Sequence, residues 1–360
     1  ILPENGSVAN IWTSCYDGIN IANSVLEKVP GIGDMNEQEK NAANAELLFI
    51  RALNHFNVIN YFGAAPLKVQ PTKGTADLNV PRVAVDQINT QIINDLKFAI
   101  DHLPANASLK YRATKYAATA LLARVYLYKK DYPNAVLMAT EVIDNGGYTL
   151  LNDFADIFAA DGSAEAIFEI DFTMLDRNRI AEYNFPKSLN GRREVKPTQD
   201  LLDAFETGDQ RLNASVAYAG SEAYAIKYPN LAIGDENVII LRLAEMYLIR
   251  AEALAESQGD ITQIQNDLNK IRQRAGLPAS TAGTYPTLLR QIEKDRRLEF
   301  AFEGHRWFDL VRTGRAIDLI ETVNNQNQTL FPIPNYELNT NTNPGMTQNP
   351  GYKKIFKTHF

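Results

Sequence analysis

The densest run of ionisable side chains is Arg296-Arg297-Leu298-Glu299-Phe300-Ala301-Phe302-Glu303-Gly304-His305-Arg306-Trp307-Phe308-Asp309-Leu310. A helix would carry Glu299 and Glu303 on one face. With His305 nearby they would suit acid, base and proton shuttle. Arg296 and Arg306, however, each stand three residues from one of these glutamates. That spacing favours ion pairs, and a paired carboxylate titrates below its usual range, the opposite of what a general acid needs. The segment therefore reads as structural, with Arg297, Glu299, Glu303, Arg306 and Asp309 forming a buried or half-buried ionic network between helices. Glu245 and Glu252, on one face amid Leu243, Tyr247 and Leu248, read the same way.

Other chemistry is sparse. No nucleophile elbow, phosphate-binding loop or dinucleotide fingerprint occurs. His55, His102, His305 and His359 are scattered and make no H-x-x-x-H pair, so no zinc site is expected. Asp153, Asp156 and Asp161-Gly162 miss the one-three-five spacing of a calcium loop and read as turn and cap residues. No catalytic residue, metal site or cofactor is assigned. Trp12 and Trp307 read as core. The tyrosines Tyr183, Tyr218, Tyr224 and Tyr228 are left as candidate exposed stacking surfaces, each a ring with a polar handle.

These residues hang on a mainly helical frame. Apolar spacings of three and four mark helices from Asn10 to Pro30-Gly31, from Glu37 to Phe62 with Gly63 as its stop, and over Val83–Leu103. Ala113–Lys130 and Pro133–Asp144 form a helical hairpin ending at Asn145-Gly146-Gly147, where glycine supplies a left-handed cap. Within it, Leu122-Ala123-x2-Tyr126 and Ala135-x3-Ala139 follow the offsets of a degenerate tetratricopeptide repeat; Leu243-Ala244-x2-Tyr247 and the return helix Asp260–Ala275 suggest a second. Ala166–Thr173 reads as a strand, and Asp176–Tyr228 as irregular structure with short helices, one near Gln199–Thr207. Long loops on a rigid frame are where binding residues gather. Ligand specificity is accordingly placed between Asp171 and Tyr228, on Tyr183, Asn190, Arg192, Arg193, Tyr218 and Tyr224.

Composition bounds the rest. The 360 residues make about two domains or one large one at roughly 150 per domain. Hydrophobic content of 45% and charged content of 22% are ordinary globular values. A net charge of −7, with no basic block, disfavours nucleic-acid binding. No apolar run reaches the ~18 residues of a spanning helix. Cys15 has no second cysteine to pair with. The opening Ile1-Leu2-Pro3-Glu4-Asn5-Gly6 shows no basic region followed by an apolar one, so no signal peptide is read in these residues.

Several strings together resemble the SusD/RagB family of outer-membrane nutrient-binding lipoproteins. The strongest is Arg297–Arg315, RLEFAFEGHRWFDLVRTGR. Others are LRLAEMYLIRAEALAE at Leu241–Glu256, LNKIRQRAGL at Leu268–Leu277, and LFPIP with QNPGY in the Asn-rich tail. In the first half stand ELLFIRALNHFNVINYFGAAP at Glu46–Pro66 and TKYAATALLARVYLY at Thr114–Tyr128. The resemblance implies an all-α body of tetratricopeptide-like hairpins, a loop-rich middle segment, a few short strands and a tail packed on the helices. It implies an N-terminal region, residues 1–150, and a C-terminal region, residues 151–360, forming one compact unit. It further implies attachment to the outer membrane through a lipidated cysteine. Cys15 lies inside a helix pattern and is not that residue, so signal peptide and lipobox are expected upstream of Ile1. The implied partners are a SusC-like TonB-dependent outer-membrane porin and a glycan or other small nutrient. The middle segment is short and lacks tryptophan, which argues against a large polysaccharide.

Three functions are open to such a chain: a surface-exposed nutrient-binding lipoprotein that delivers its ligand to the transporter, a tetratricopeptide-type scaffold for a protein partner, and a glycoside hydrolase. The first is favoured. The third would need two carboxylates flanking a cleft, and no enzymatic activity is expected.

Overall fold

Asn5 starts the first helix, α1 (Gly6–Leu26), by accepting a hydrogen bond on its side chain from the Val8 amide. Asn36 and Glu39 form a reciprocal capping box at the head of α2 (Glu37–Phe62). Gly63 ends α2 at φ +70°, where a Cβ would lie 2.8 Å from Leu330. Pro66 and Arg82 close a two-residue ladder between β1 (Ala65–Pro66) and β2 (Arg82–Val83), and α3 (Val85–His102) follows. One buried arginine ties the three helices: Arg51 grips Asp95 with two hydrogen bonds of 2.8 and 2.7 Å and donates a third, 2.9 Å, to Asn23.

The computed structural model describes residues 1–353; His359 falls outside them. The chain divides into two compact units, the first made of Ile1–Pro104 with the chain from Trp307 onward, the second of Ala105–Arg306. The expected boundary at residue 150 falls inside the second. In the first unit the Asn-rich tail packs on helices, as anticipated. Asn349 donates to the carbonyls of Phe62 and Phe331, Phe331 donates its amide to Tyr61, and the Tyr352 hydroxyl donates to Leu330. Trp12 is fully enclosed against Tyr16 and Phe62. Trp307 departs from expectation: it is half-buried, against a small cluster of Leu310, Ala316 and Val323.

The second unit is built on helical hairpins. Thr114 caps α4 (Lys115–Tyr128) and Asp131 caps α5 (Tyr132–Asn145). Gly147, at φ +72°, takes the left-handed position after α5. Helix α4 has almost no polar face and is buried nearly all round. After β3 (Ala166–Ile170) come three short helices, α6 (Ile180–Asn184), α7 (Gln199–Ala204) and α8 (Gln210–Ser215). The hairpin β4 (Val216–Ala219) with β5 (Glu222–Ala225) turns on Gly220 at φ +62°. β6 (Val238–Arg242) pairs antiparallel with β3. Then α9 (Leu243–Glu256), α10 (Ile261–Arg274) and α11 (Tyr285–Glu299) pack around Leu248, Ile264, Leu268, Ile271, Leu288, Ile292 and Phe300. Arg124 of α4 clamps Glu245 of α9, and Arg250 of α9 clamps Asp267 of α10. The molecule is mostly helical with a few short strands. No helix of the described residues is long and apolar enough to cross a membrane.

Candidate functional site

At the end of α11 the charged segment is buried. Glu299 and Glu303 lie under Arg242, whose guanidinium is 2.6 Å from Glu299, 2.8 Å from Glu303 and 2.9 Å from Glu165. Lys227 adds a 2.6 Å bond to Glu303, and Arg274 and Arg211 approach Glu299. Burial alone would raise the Glu299 carboxyl, but Arg274, Arg242 and Arg211 outweigh it and hold the group down at about 2. Glu245 is likewise held at about 2, chiefly by Arg124 against the effect of burial. These carboxylates stay charged and paired, so they brace the fold.

The membership of the expected network needs correcting. Arg297 reaches out to Asp200, Arg306 pairs with Glu293, and Asp309 pairs with Arg312. The cations that meet Glu299 and Glu303 come from α8 (Arg211), the β5–β6 connection and β6 (Lys227, Arg242) and α10 (Arg274), all beyond the reach of one helix turn. Arg296 points to Glu245, and His305 stacks on Phe300 beside that pair. Asp153 acts as a turn residue, accepting from the Ala155 amide two positions on, whereas Asp161 accepts from the Asn237 amide far along the chain and ties two segments together.

The middle segment brings most of its candidate ligand residues together. Tyr183 lies on α6, and the Arg192 guanidinium covers its ring 4.8 Å from the centroid. Between them the chain doubles back through Asn190, which adopts a left-handed φ of +64°, and Gly191, where a Cβ would fall 2.1 Å from the Phe185 carbonyl. The amides of Arg192 and Glu194 donate to Glu182 and Tyr183, fixing the return. Arg193 points the other way, 2.9 Å from Glu222 and donating to the Ala223 carbonyl, so it pins this loop to β5. Tyr224 packs edge-on against Phe185. Tyr218 is exposed, but it pairs across the hairpin with Ala223, whereas Tyr224 pairs with Ala217. The two tyrosines thus lie on opposite faces. Asn190 and Arg192 are exposed; Tyr183, Arg193 and Tyr224 are half-buried. Tyr228 does not belong to the surface at all: it is buried against Phe158, with its hydroxyl oxygen accepting from the Ile239 amide.

A pocket of about 190 Å³ in the first unit involves none of these residues. Trp12, Tyr16, Asp17 and Asn20 reach it from successive turns of α1, while Lys68 and Asp77 come from the connector after β1 and Tyr336 and Glu337 from the helix Asn335–Thr340. The Tyr16 hydroxyl donates to the Pro66 carbonyl, Thr72 donates its amide to Asn20, and the Tyr336 hydroxyl bonds Thr13 at 2.7 Å. The sequence alone places Trp12 in the core and residues 72–81 in a connector; its hint of a pocket is the aromatic and polar mixture of Trp12, Tyr16, Asp17 and Asn20 on α1. Among the described residues no group of three His, Cys, Asp or Glu is placed to hold a metal.

Comparison with known proteins agrees with this architecture. A family model described as "starch-binding associating with outer membrane" matches residues 1–127, and one described as "SusD family" matches residues 227–319. SusD-like protein P25 of Formosa agariphila is 26% identical, over 93% of this chain and 77% of its own. A SusD-like protein structure from Bacteroides fragilis superposes with a TM-score of 0.88 over 98% of this chain and 88% of that one, at 24% identity, a likeness of fold. A laminarin-binding SusD-like protein superposes with a TM-score of 0.84 over 95% and 85% of the two chains, at 28% identity. With tetratricopeptide-like hairpins, a packed Asn-rich tail and both family models matching in order, this chain belongs to the SusD/RagB family.

Proposed function

We propose that the protein captures a glycan at the bacterial cell surface and delivers it to a SusC-like TonB-dependent porin, without chemically altering it. The observation that carries this reading is the likeness, over 95% of the chain, to a laminarin-binding SusD-like protein. The ligand surface is the loop bearing Tyr183, Asn190 and Arg192, which Arg193 pins to the neighbouring hairpin, with Tyr218 and Tyr224 on the two faces of that hairpin. A tyrosine face with a guanidinium lying across it offers apolar area to a sugar ring and directional donors to its hydroxyls. Because the exposed stacking residues are few, a short oligosaccharide suits it better than a long chain. The protein is held to the outer membrane by a lipid on a cysteine upstream of Ile1.

Titration calorimetry with laminarin and starch oligosaccharides tests the binding, and analysis of the recovered sugar tests whether it is left intact. Saturable binding with unaltered ligand supports the reading; cleavage of the ligand would sink it. Fractionation of the full-length gene product tests the anchor, and co-purification of a porin from those membranes tests the partner.

A further inference from the structure

The pocket of the first unit has a composition of its own. Its aromatic groups are Trp12, Tyr16 and Tyr336; its charged groups are Asp17, Asp77 and Glu337 against a single Lys68, which gives one of its three N–H donors to the Asp77 carbonyl. Carboxylates only accept hydrogen bonds, so their natural ligands are hydroxyl donors, and an anionic ligand would be repelled. The phenol of Tyr336 is pushed up, first by burial and then by Glu337 and Asp17, and that of Tyr16 is raised first by burial and then by Glu337. Tyr336 itself is 43% exposed, leaving ring area for a ligand. At about 190 Å³ the pocket is smaller than the ~300–1,000 Å³ of sites for drug-sized molecules, which suits one sugar ring.

We propose that this pocket is a second carbohydrate site, one that takes a single neutral sugar unit against Tyr336 through the carboxylates of Asp17 and Glu337 and rejects uronic and sulfated sugars. The inference rests on the reading that the protein binds glycans, and adds to it a site in a different unit with a stated charge preference.

Trp12 provides a local probe. The chain has two tryptophans, so a Trp307→Phe variant emits from Trp12 alone. Laminaritriose and maltotriose, both neutral, should change that emission saturably, and a glucuronate trisaccharide should not. Tyr336→Ala and Asp17→Asn, each at an exposed position, should weaken the response about tenfold while the melting temperature stays unchanged. Calorimetric binding of the neutral sugars with silent Trp12 emission, and no effect of Tyr336→Ala, would overturn the pocket site and leave the glycan-binding function standing. Equal or tighter binding of the glucuronate trisaccharide would overturn the assigned ligand class. If no sugar binds by either method, both the site and the function fall.

Discussion

Arg242, the last residue of β6, lies 2.6 Å from Glu299, the last residue of α11, and both are almost wholly enclosed. The same guanidinium also binds Glu303 and the Glu299 carbonyl, so a strand end and a helix end are locked by one side chain. Glu303 completes the arrangement by holding Lys227.

Glu303→Ala leaves the buried Lys227 without its carboxylate and Arg242 with one fewer. Breaking a buried pair from one side costs about 3–5 kcal/mol. Denaturant unfolding should show a loss of that size; an unchanged midpoint would mean the network is not what holds α11.

Acid should act on the two units in different windows. His55 is buried with neither ring nitrogen partnered among the described residues, and burial, helped by Arg51, pushes its pKa down to about 3. An unfolded histidine takes up a proton near 6.5, so stability from keeping His55 neutral is full above that pH and is lost as the pH falls toward 3, at about 1.4 kcal/mol per pH unit. Glu245 and Glu299 are depressed to about 2 from 4.5, so their contribution is full above 4.5 and disappears only as the pH falls from there toward 2. Hydrogen exchange at pH 7, 5.5 and 4 should show α2 loosening before α9 and α11. His55→Leu should abolish the early phase. Simultaneous loosening of both units at pH 5.5 would contradict this.

Asn349→Ala removes the side chain that satisfies the carbonyls of Phe62 and Phe331. Each buried polar group left unsatisfied costs about 1–3 kcal/mol. Thermal unfolding should therefore shift down by several degrees, and proteolysis should open the tail first. A tail cleaved no faster than in the parent protein would show that Asn349 is dispensable.

Tyr183→Ala removes the ring under Arg192, and Arg192→Ala removes its cover. Stacking on an aromatic is worth roughly 0.5–1.5 kcal/mol beyond buried area, so each change should weaken oligosaccharide binding several-fold without unfolding the protein. The double variant should fall short of the sum, since the two side chains act as one surface. Strict additivity, or intact affinity in both single variants, would move the ligand elsewhere.

The sequence determined what depends on neighbours along the chain. Helix spans followed from apolar spacing and from glycine stops such as Gly63 after α2 and Gly147 after α5, whereas the Asn36–Glu39 capping box and the all-round burial of α4 emerged only in the structure. It also determined that Glu299 and Glu303 would be paired. It named the wrong partners, because spacing along one helix reveals only residues three or four positions away, whereas Arg242, Lys227, Arg211 and Arg274 arrive from other elements. Tyr228 failed for the same reason: the polar stretch around it reads as surface, but the Ile239 amide and the Phe158 ring that enclose it belong to other parts of the chain. The pocket was decided by tertiary structure alone. It is lined by residues of α1 and by residues 336 and 337, more than three hundred positions apart, and only packing of the tail on the first helices brings Glu337 near both Tyr16 and Tyr336.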